Sequence, residues 1–160
     1  MAAPLRGNTG HSCYFVTAST FQKHSLFQSE KMAQLFVDVL SHYRRQKKYL
    51  LHEFVLMPDH FHLLLTPTVT LERALQMIKG GFSFRARKEL EFGGGVWQSS
   101  FYDRRVRDAE EYFAFREYIR RNPVRRGLAV AAEKYPYSSA WPGLVLDGLP
   151  QRLQPFCLTA

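Results

Sequence analysis

The patterning of this chain predicts an α+β fold: a ferredoxin-like split β-α-β unit whose antiparallel sheet carries helices on one face, with a further C-terminal helix bearing a tyrosine. Three observations lead there. Apolar residues recur at helical spacing over residues 30–48 and 70–91, and short aromatic and β-branched runs lie before, between and after them. Pro58-Asp59 joins two such runs into a hairpin. The resulting order, β-α-β-β-α-β, is that of the split unit. With 160 residues, 46% hydrophobic and 14% aromatic, the chain is long and apolar enough for one folded domain. Residues 11–130 are expected to form it, and 131–160 an irregular tail.

Residues 12–18, Ser-Cys-Tyr-Phe-Val-Thr-Ala, supply the first strand. The first helix, 30–48, has Ser29 as N-cap and Met32, Leu35, Phe36, Val39, Leu40 and Tyr43 as its apolar stripe, and Lys47 and Lys48 complement the dipole at its end. The hairpin follows over 50–66. Thr70 caps the second helix, with Leu71, Leu75, Ile78 and Phe82 as its stripe; Gly80-Gly81 interrupts it, as a bend or as a place for a ligand backbone to approach. Three glycines, 93–95, turn the chain into a strand over 96–107. Asp108 caps a third helix that ends at Asn122, because Pro123 follows.

Lys and Arg total 22 against 14 Asp and Glu, a net charge of +8 that points to a polyanionic partner. Nucleic acid fits better than a membrane surface, because no long basic amphipathic helix has a clean apolar face. No apolar run reaches the ~20 residues that span a bilayer, and residues 1–10 lack a signal-peptide core. A cytoplasmic location is therefore expected. Cys13 and Cys157 sit at opposite ends without metal-type spacing and are expected to be reduced.

The chemistry centres on Met57-Pro-Asp-His-Phe-His-Leu-Leu-Leu65. Side chains alternate along a strand, so His60 and His62 share one face while Phe61, Leu63 and Leu65 take the other. Two imidazoles ~6 to 7 Å apart along a strand can bind one metal ion. Tyr118 and Asn122 are four apart on the third helix, one turn apart on one face. If that face meets the histidines, Asn122 can add an oxygen ligand and Tyr118 can point its phenol at a metal-bound substrate. Such a donor set suits Mg²⁺ or Mn²⁺.

These segments, with Val96-Trp-Gln-Ser-Ser-Phe-Tyr-Asp-Arg-Arg105 and Tyr118-Ile-Arg-Arg-Asn-Pro-Val-Arg-Arg-Gly-Leu128, resemble the REP-associated tyrosine transposases. These are single-tyrosine endonucleases of the His-U-His type, U being a bulky apolar residue. The resemblance covers about residues 11–142. It implies a metal-dependent nuclease and strand transferase acting on single-stranded DNA beside palindromic hairpins. It also implies that His60 and His62 bind the metal and that Tyr118 forms a 5′-phosphotyrosine link, whose ester conserves the bond energy for strand transfer. Asn122 stands where related enzymes often carry Gln, and Asp59 where some carry Asn. The family's tail reads the foot of a hairpin, a role the resemblance extends to residues 135–141. Relatives act as dimers or as monomers, so the oligomeric state stays open.

Blander readings stand beside these. A lone His-x-His in a strand is more often structural, and it is the downstream Tyr-x-x-x-Asn-Pro block that changes the balance. Residues 104–126 hold eight arginines and four acids. Arg104, Arg105, Arg107, Arg120, Arg121, Arg125 and Arg126 read as a phosphate-tracking surface, the alternative being a solvated helix face. Phe101 and Tyr102 read as core or sheet packing and Tyr112 as packing on the third helix. Trp97, Tyr135, Tyr137 and Trp141 can stack bases or pin the tail. A hairpin-binding protein that no longer transposes and an RNA-binding module are the rival functions; histidines where an aromatic platform would be needed disfavour the second.

Overall fold

The computed structural model describes residues 12–154, so Cys157 and the expectation for residues 1–10 lie outside the described residues. The chain runs β1 (Tyr14–Ser19), α1 (Glu30–Arg45), β2 (Tyr49–Met57), β3 (His60–Pro67), α2 (Leu71–Leu90), β4 (Tyr102–Arg105) and α3 (Ala109–Arg125). The strands form one antiparallel sheet in the order β2-β3-β1-β4. This is the α+β split-unit topology the sequence predicts.

Strand alternation divides the core in two. Tyr14, Val16, Phe61, Leu63 and Leu65 pack against Phe36, Leu40, Leu75, Ile78 and Phe82 of α1 and α2. Phe15, Val55, Met57 and Leu64 face the other way, onto Tyr112 and Ile119 of α3. His60 and His62 follow the parity of Leu64, so the α3 face of the sheet carries the polar chemistry. The expected N-caps form: Ser29, Thr70 and Asp108 accept from the amides of Met32, Arg73 and Glu111.

The structure corrects several element limits. The first helix stops at Arg45, and Lys47 adopts φ 61° to turn the chain into β2. The expected strand over 96–107 shrinks to four residues, with one bridge between Thr20 and Trp97 upstream of it. Gly80-Gly81 does not break α2; a Cβ on Gly81 would stand 2.9 Å from the Tyr43 ring, so the missing side chain lets the two helices approach. The third helix does not end at Asn122. Proline's fixed φ is itself helical and removes only one donor, and α3 runs on until Gly127 (φ 75°) closes it. There Leu128 N donates to Pro123 O and Gly127 N to Val124 O.

β2 holds an irregularity that local patterning does not reveal. Leu51 pairs with Leu65 but Glu53 pairs with Leu64, a bulge in which His52 is the extra residue. After α3 the described residues hold only the short 3₁₀ turns Ala132–Lys134 and Gln151–Leu153. The chain there runs beside β2, bridging Val55 at Ser138.

Candidate metal and nucleic-acid site

His60 opens β3 just after the Pro58-Asp59 turn, and Asp59 Oδ1 accepts from its Nδ1–H at 2.7 Å. The carboxylate therefore fixes the proton on Nδ1 and leaves Nε2 with its lone pair when the ring is neutral. His62 pairs across to β1, where Thr17 Oγ1 lies 2.7 Å from His62 Nδ1. The two imidazoles are near neighbours, with centroids 4.9 Å apart. Burial pushes both below the ordinary histidine range. The Asp59 carboxylate partly opposes this at His60, whereas at His62 the His60 ring and the Arg125 and Arg126 charges add to it and bring the value to about 3. Both rings are therefore neutral near pH 7, the state a metal ligand needs.

α3 crosses this face. Tyr118 lies with its ring centroid 5.3 Å from that of His62 and is 41% exposed, so its phenol is reachable from solvent. Phe15 stacks on His62 at 5.3 Å and on Phe115 at 4.3 Å, and its edge meets Tyr118, locking the imidazole and the tyrosine into one aromatic group. Asn122, one turn beyond Tyr118, is buried. Its Oδ1 and His62 Nε2 have no hydrogen-bond partner. A buried polar atom left unpaired costs ~1–3 kcal/mol, so a ligand that reached either atom would relieve that cost. Among the described residues no three His, Cys, Asp or Glu side chains cluster as a metal site. A metal site built on the two histidines would need a ligand of another kind, and the unpartnered Asn122 Oδ1 is a candidate for it. A cleft of about 530 Å³ opens beside it, lined by Phe15, Thr17, His62, Tyr102, Phe115 and Tyr118 among others.

The arginines divide into groups. Arg125 lies over the Tyr118 ring, 4.6 Å from its centroid. Arg126 is exposed and close enough to act on both histidines. Arg121 is exposed on the same helix. Arg104 and Arg107 share Glu111 Oε2 at 2.7 and 3.2 Å while staying largely solvent-facing. Two of the expected phosphate contacts are placed elsewhere. Arg105 pairs with Tyr14, which faces α1 and α2, so it lies on the opposite side of the sheet from the histidines. Arg120 donates from Nε and Nη2 to the buried Glu53 carboxylate at 2.9 and 3.2 Å.

Sequence reading passed over Phe15, Thr17, Glu53, Phe115 and Arg116. The alternation of Phe15 and Thr17 in the first strand was the available signal for two of them. Tyr102 is neither core nor sheet packing: it is 58% exposed at the cleft. Trp97 is partly buried and packs against the core, on Phe27, Phe36, Phe61 and Phe82. Tyr135 and Tyr137 pin the C-terminal segment to β2 through Leu56, the Tyr135 hydroxyl donating to Leu56 O and Leu56 N donating to Tyr137 O. Trp141 remains 40% exposed.

No helix among the described residues is long and apolar enough to cross a membrane. Residues 10–122 match the family model described as "Transposase IS200 like". An uncharacterised protein of Haemophilus influenzae is 25% identical over 144 residues, covering 69% of this chain and 79% of its own length. The REP-associated tyrosine transposase of Escherichia coli K12 is 26% identical over 102 residues, 60% of this chain and 57% of the relative, so the chain spans little more than half of that protein. A solved structure of a REP-associated tyrosine transposase bound to a REP hairpin superposes with a TM-score of 0.69 at 19% identity, over 88% of this chain and 90% of that one, which shows the shared fold. With the family match spanning the whole sheet and α3 through Asn122, the chain belongs to the IS200-like transposases.

Proposed function

We propose that this chain is a divalent-metal-dependent, single-tyrosine DNA nickase and strand transferase that acts on single-stranded DNA beside hairpins. One observation carries the reading. The unpartnered His62 Nε2 and Asn122 Oδ1 are buried on the face where Tyr118 lies against the His62 ring with its phenol open to solvent. The hairpin is taken from the bound DNA named for the structural relative.

His60, His62 and Asn122 would hold the ion. Mg²⁺ or Mn²⁺ there would polarise the scissile phosphate and offset charge as it builds. The Tyr118 oxygen attacks phosphorus, a P–O bond to tyrosine forms, the bond to the 3′ oxygen breaks, and the leaving 3′ oxygen takes up a proton. Arg125, stacked on the nucleophile's ring, places a fixed cation where the phosphate arrives. Arg121 and Arg126, with the solvent-facing Arg104 and Arg107, track the flanking backbone. Reversal of the same chemistry by a 3′ hydroxyl joins the strand to a new partner without ATP.

The test is a labelled single-stranded hairpin library incubated with Mn²⁺ or Mg²⁺ and resolved on denaturing gels. Wild type is expected to give a shifted covalent band and Tyr118→Phe none, with binding retained in both. An adduct of undiminished yield in Tyr118→Phe moves the nucleophile elsewhere. Binding without an adduct in wild type makes the chain a hairpin-recognition protein.

A further inference from the structure

The bulge in β2 leaves Glu53 opposite Leu64, on the face that α3 covers, with only 4% of its surface exposed. A carboxylate this buried is stable only if its oxygens are filled. Glu53 Oε1 accepts from Arg120 Nε at 2.9 Å and from Ser139 Oγ at 2.6 Å. Oε2 accepts from Arg120 Nη2 at 3.2 Å and lies 3.4 Å from Arg116 Nε. Every partner therefore belongs either to the tyrosine helix or to the C-terminal segment. Ser139 is itself held in place, its amide donating to Phe54 O at 2.8 Å.

The positions on α3 matter. At about 100° per residue, Arg116 and Arg120 fall within ~40° of each other, while Tyr118 lies ~160–200° from both. The buried stripe of Tyr112, Ile119 and Asn122 runs between them. Arginine and tyrosine thus grip opposite flanks of one helix: the arginines toward β2, the tyrosine toward β3 and β1. A two-pronged guanidinium–carboxylate contact resists rotation about the helix axis better than apolar packing does. Roll is the motion to which the nucleophile is most sensitive. A rotation of about 10° moves an atom ~6 Å from the axis by ~1 Å, and a misplacement of that size can cost ~10²-fold in rate.

We propose that Glu53 is a positioning residue that sets the roll of α3, and so the reach of Tyr118, by clamping Arg116 and Arg120, with Ser139 tying the C-terminal segment into the same clamp. The consequence for the reaction rests on the function proposed above. The consequence for the geometry does not.

Glu53→Gln keeps the shape but replaces one acceptor with a donor facing arginine. Single-turnover adduct formation at saturating hairpin DNA is expected to slow at least ~10-fold. The half-saturating DNA concentration should stay within about twofold, because no DNA contact is removed. Glu53→Asp, which restores the charge, should recover part of the rate. A second readout needs neither DNA nor metal: 3-fluorotyrosine placed at position 118 reports its ring environment by ¹⁹F NMR. Glu53→Gln should move or split that line in protein shown to be folded by circular dichroism, and Ser139→Ala should move it the same way by less. An unmoved line, or a rate that falls only with the folded fraction, overturns the proposal. If wild type forms no adduct at all, the proposed function fails, and the ¹⁹F line alone decides whether Glu53 sets the position of Tyr118.

Discussion

Thr17→Val isolates the hydroxyl that aims His62. Valine keeps the β-branched shape and the strand preference of threonine, so the variant loses little besides Oγ1, 2.7 Å from His62 Nδ1. If Nε2 is the ligating nitrogen, Nδ1 carries the proton and donates to Thr17. Its removal leaves a buried N–H without an acceptor, worth ~1–3 kcal/mol. Partners of this kind on ligating histidines are typically worth ~10–100-fold in metal affinity, or ~1.4–2.8 kcal/mol. The lower half of that range is expected, because Phe15 still stacks on the ring at 18° and Tyr118 still meets its edge. Mn²⁺ titration followed by calorimetry or electron paramagnetic resonance should therefore show about tenfold weaker binding in Thr17→Val, with Thr17→Ser close to wild type. A Thr17→Val affinity within twofold of wild type, in protein of unchanged melting temperature, would refute the assignment of His62 Nε2 as a ligand oriented by Thr17.

Two further outcomes follow from the same geometry. His52, His60 and His62 are all held below the ordinary histidine range, chiefly by burial. Unfolded histidines protonate near 6.5 while these take up a proton only at lower pH, so stability is full above that pH and falls as pH drops below it, by up to ~1.4 kcal/mol per pH unit for each histidine. His52→Gln should flatten the slope of metal-free denaturation free energy between pH 6 and 5, by at most one proton's worth; an unaltered slope would mean that His52 charges freely in the folded state. On the DNA side, Arg126→Ala should reduce the log–log salt slope of hairpin binding by ~0.7–1, whereas Arg105→Ala, on the far face of the sheet, should leave it unchanged. Equal losses in fluorescence anisotropy titrations would contradict that division of faces.

Much of the fold was legible because its signals are local. Ser29, Thr70 and Asp108 announce helix starts by their own chemistry, and the alternation from His60 to Leu65 fixes which residues share a face. The histidines' face and the one-turn spacing of Tyr118 and Asn122 follow from period alone. What escaped has no local cause. Pro123 reads as a stop because nothing in its neighbourhood shows that Gly127 and Leu128 will close the helix later. The bulge at His52 depends on what β2 pairs with and on what covers it. Arg120 looks like any other basic residue beside the site, since its partner Glu53 is 67 residues away in sequence. Phe15 and Thr17 read as generic strand residues until their cross-strand neighbours are known. Residue type and period reveal who can do chemistry, whereas long-range pairing decides who is already occupied.

The C-terminal segment also bears on how this sheet avoids growing. A terminal strand ordinarily offers a row of unpaired amides and carbonyls, a template for another chain. On β2 that row is filled from within. Leu51 N donates to the Asp147 carboxylate and Leu51 O accepts from Asp147 N; Phe54 N donates to Ser139 Oγ and Phe54 O accepts from Ser139 N; Leu56 N donates to Tyr137 O and Leu56 O accepts from the Tyr135 hydroxyl. The opposite edge, β4, is four residues long and carries Asp103, Arg104 and Arg105. One border is sealed by the chain's own continuation and the other is short and charged. Any strand seeking to extend the sheet at β2 must first lift residues 135–147 away.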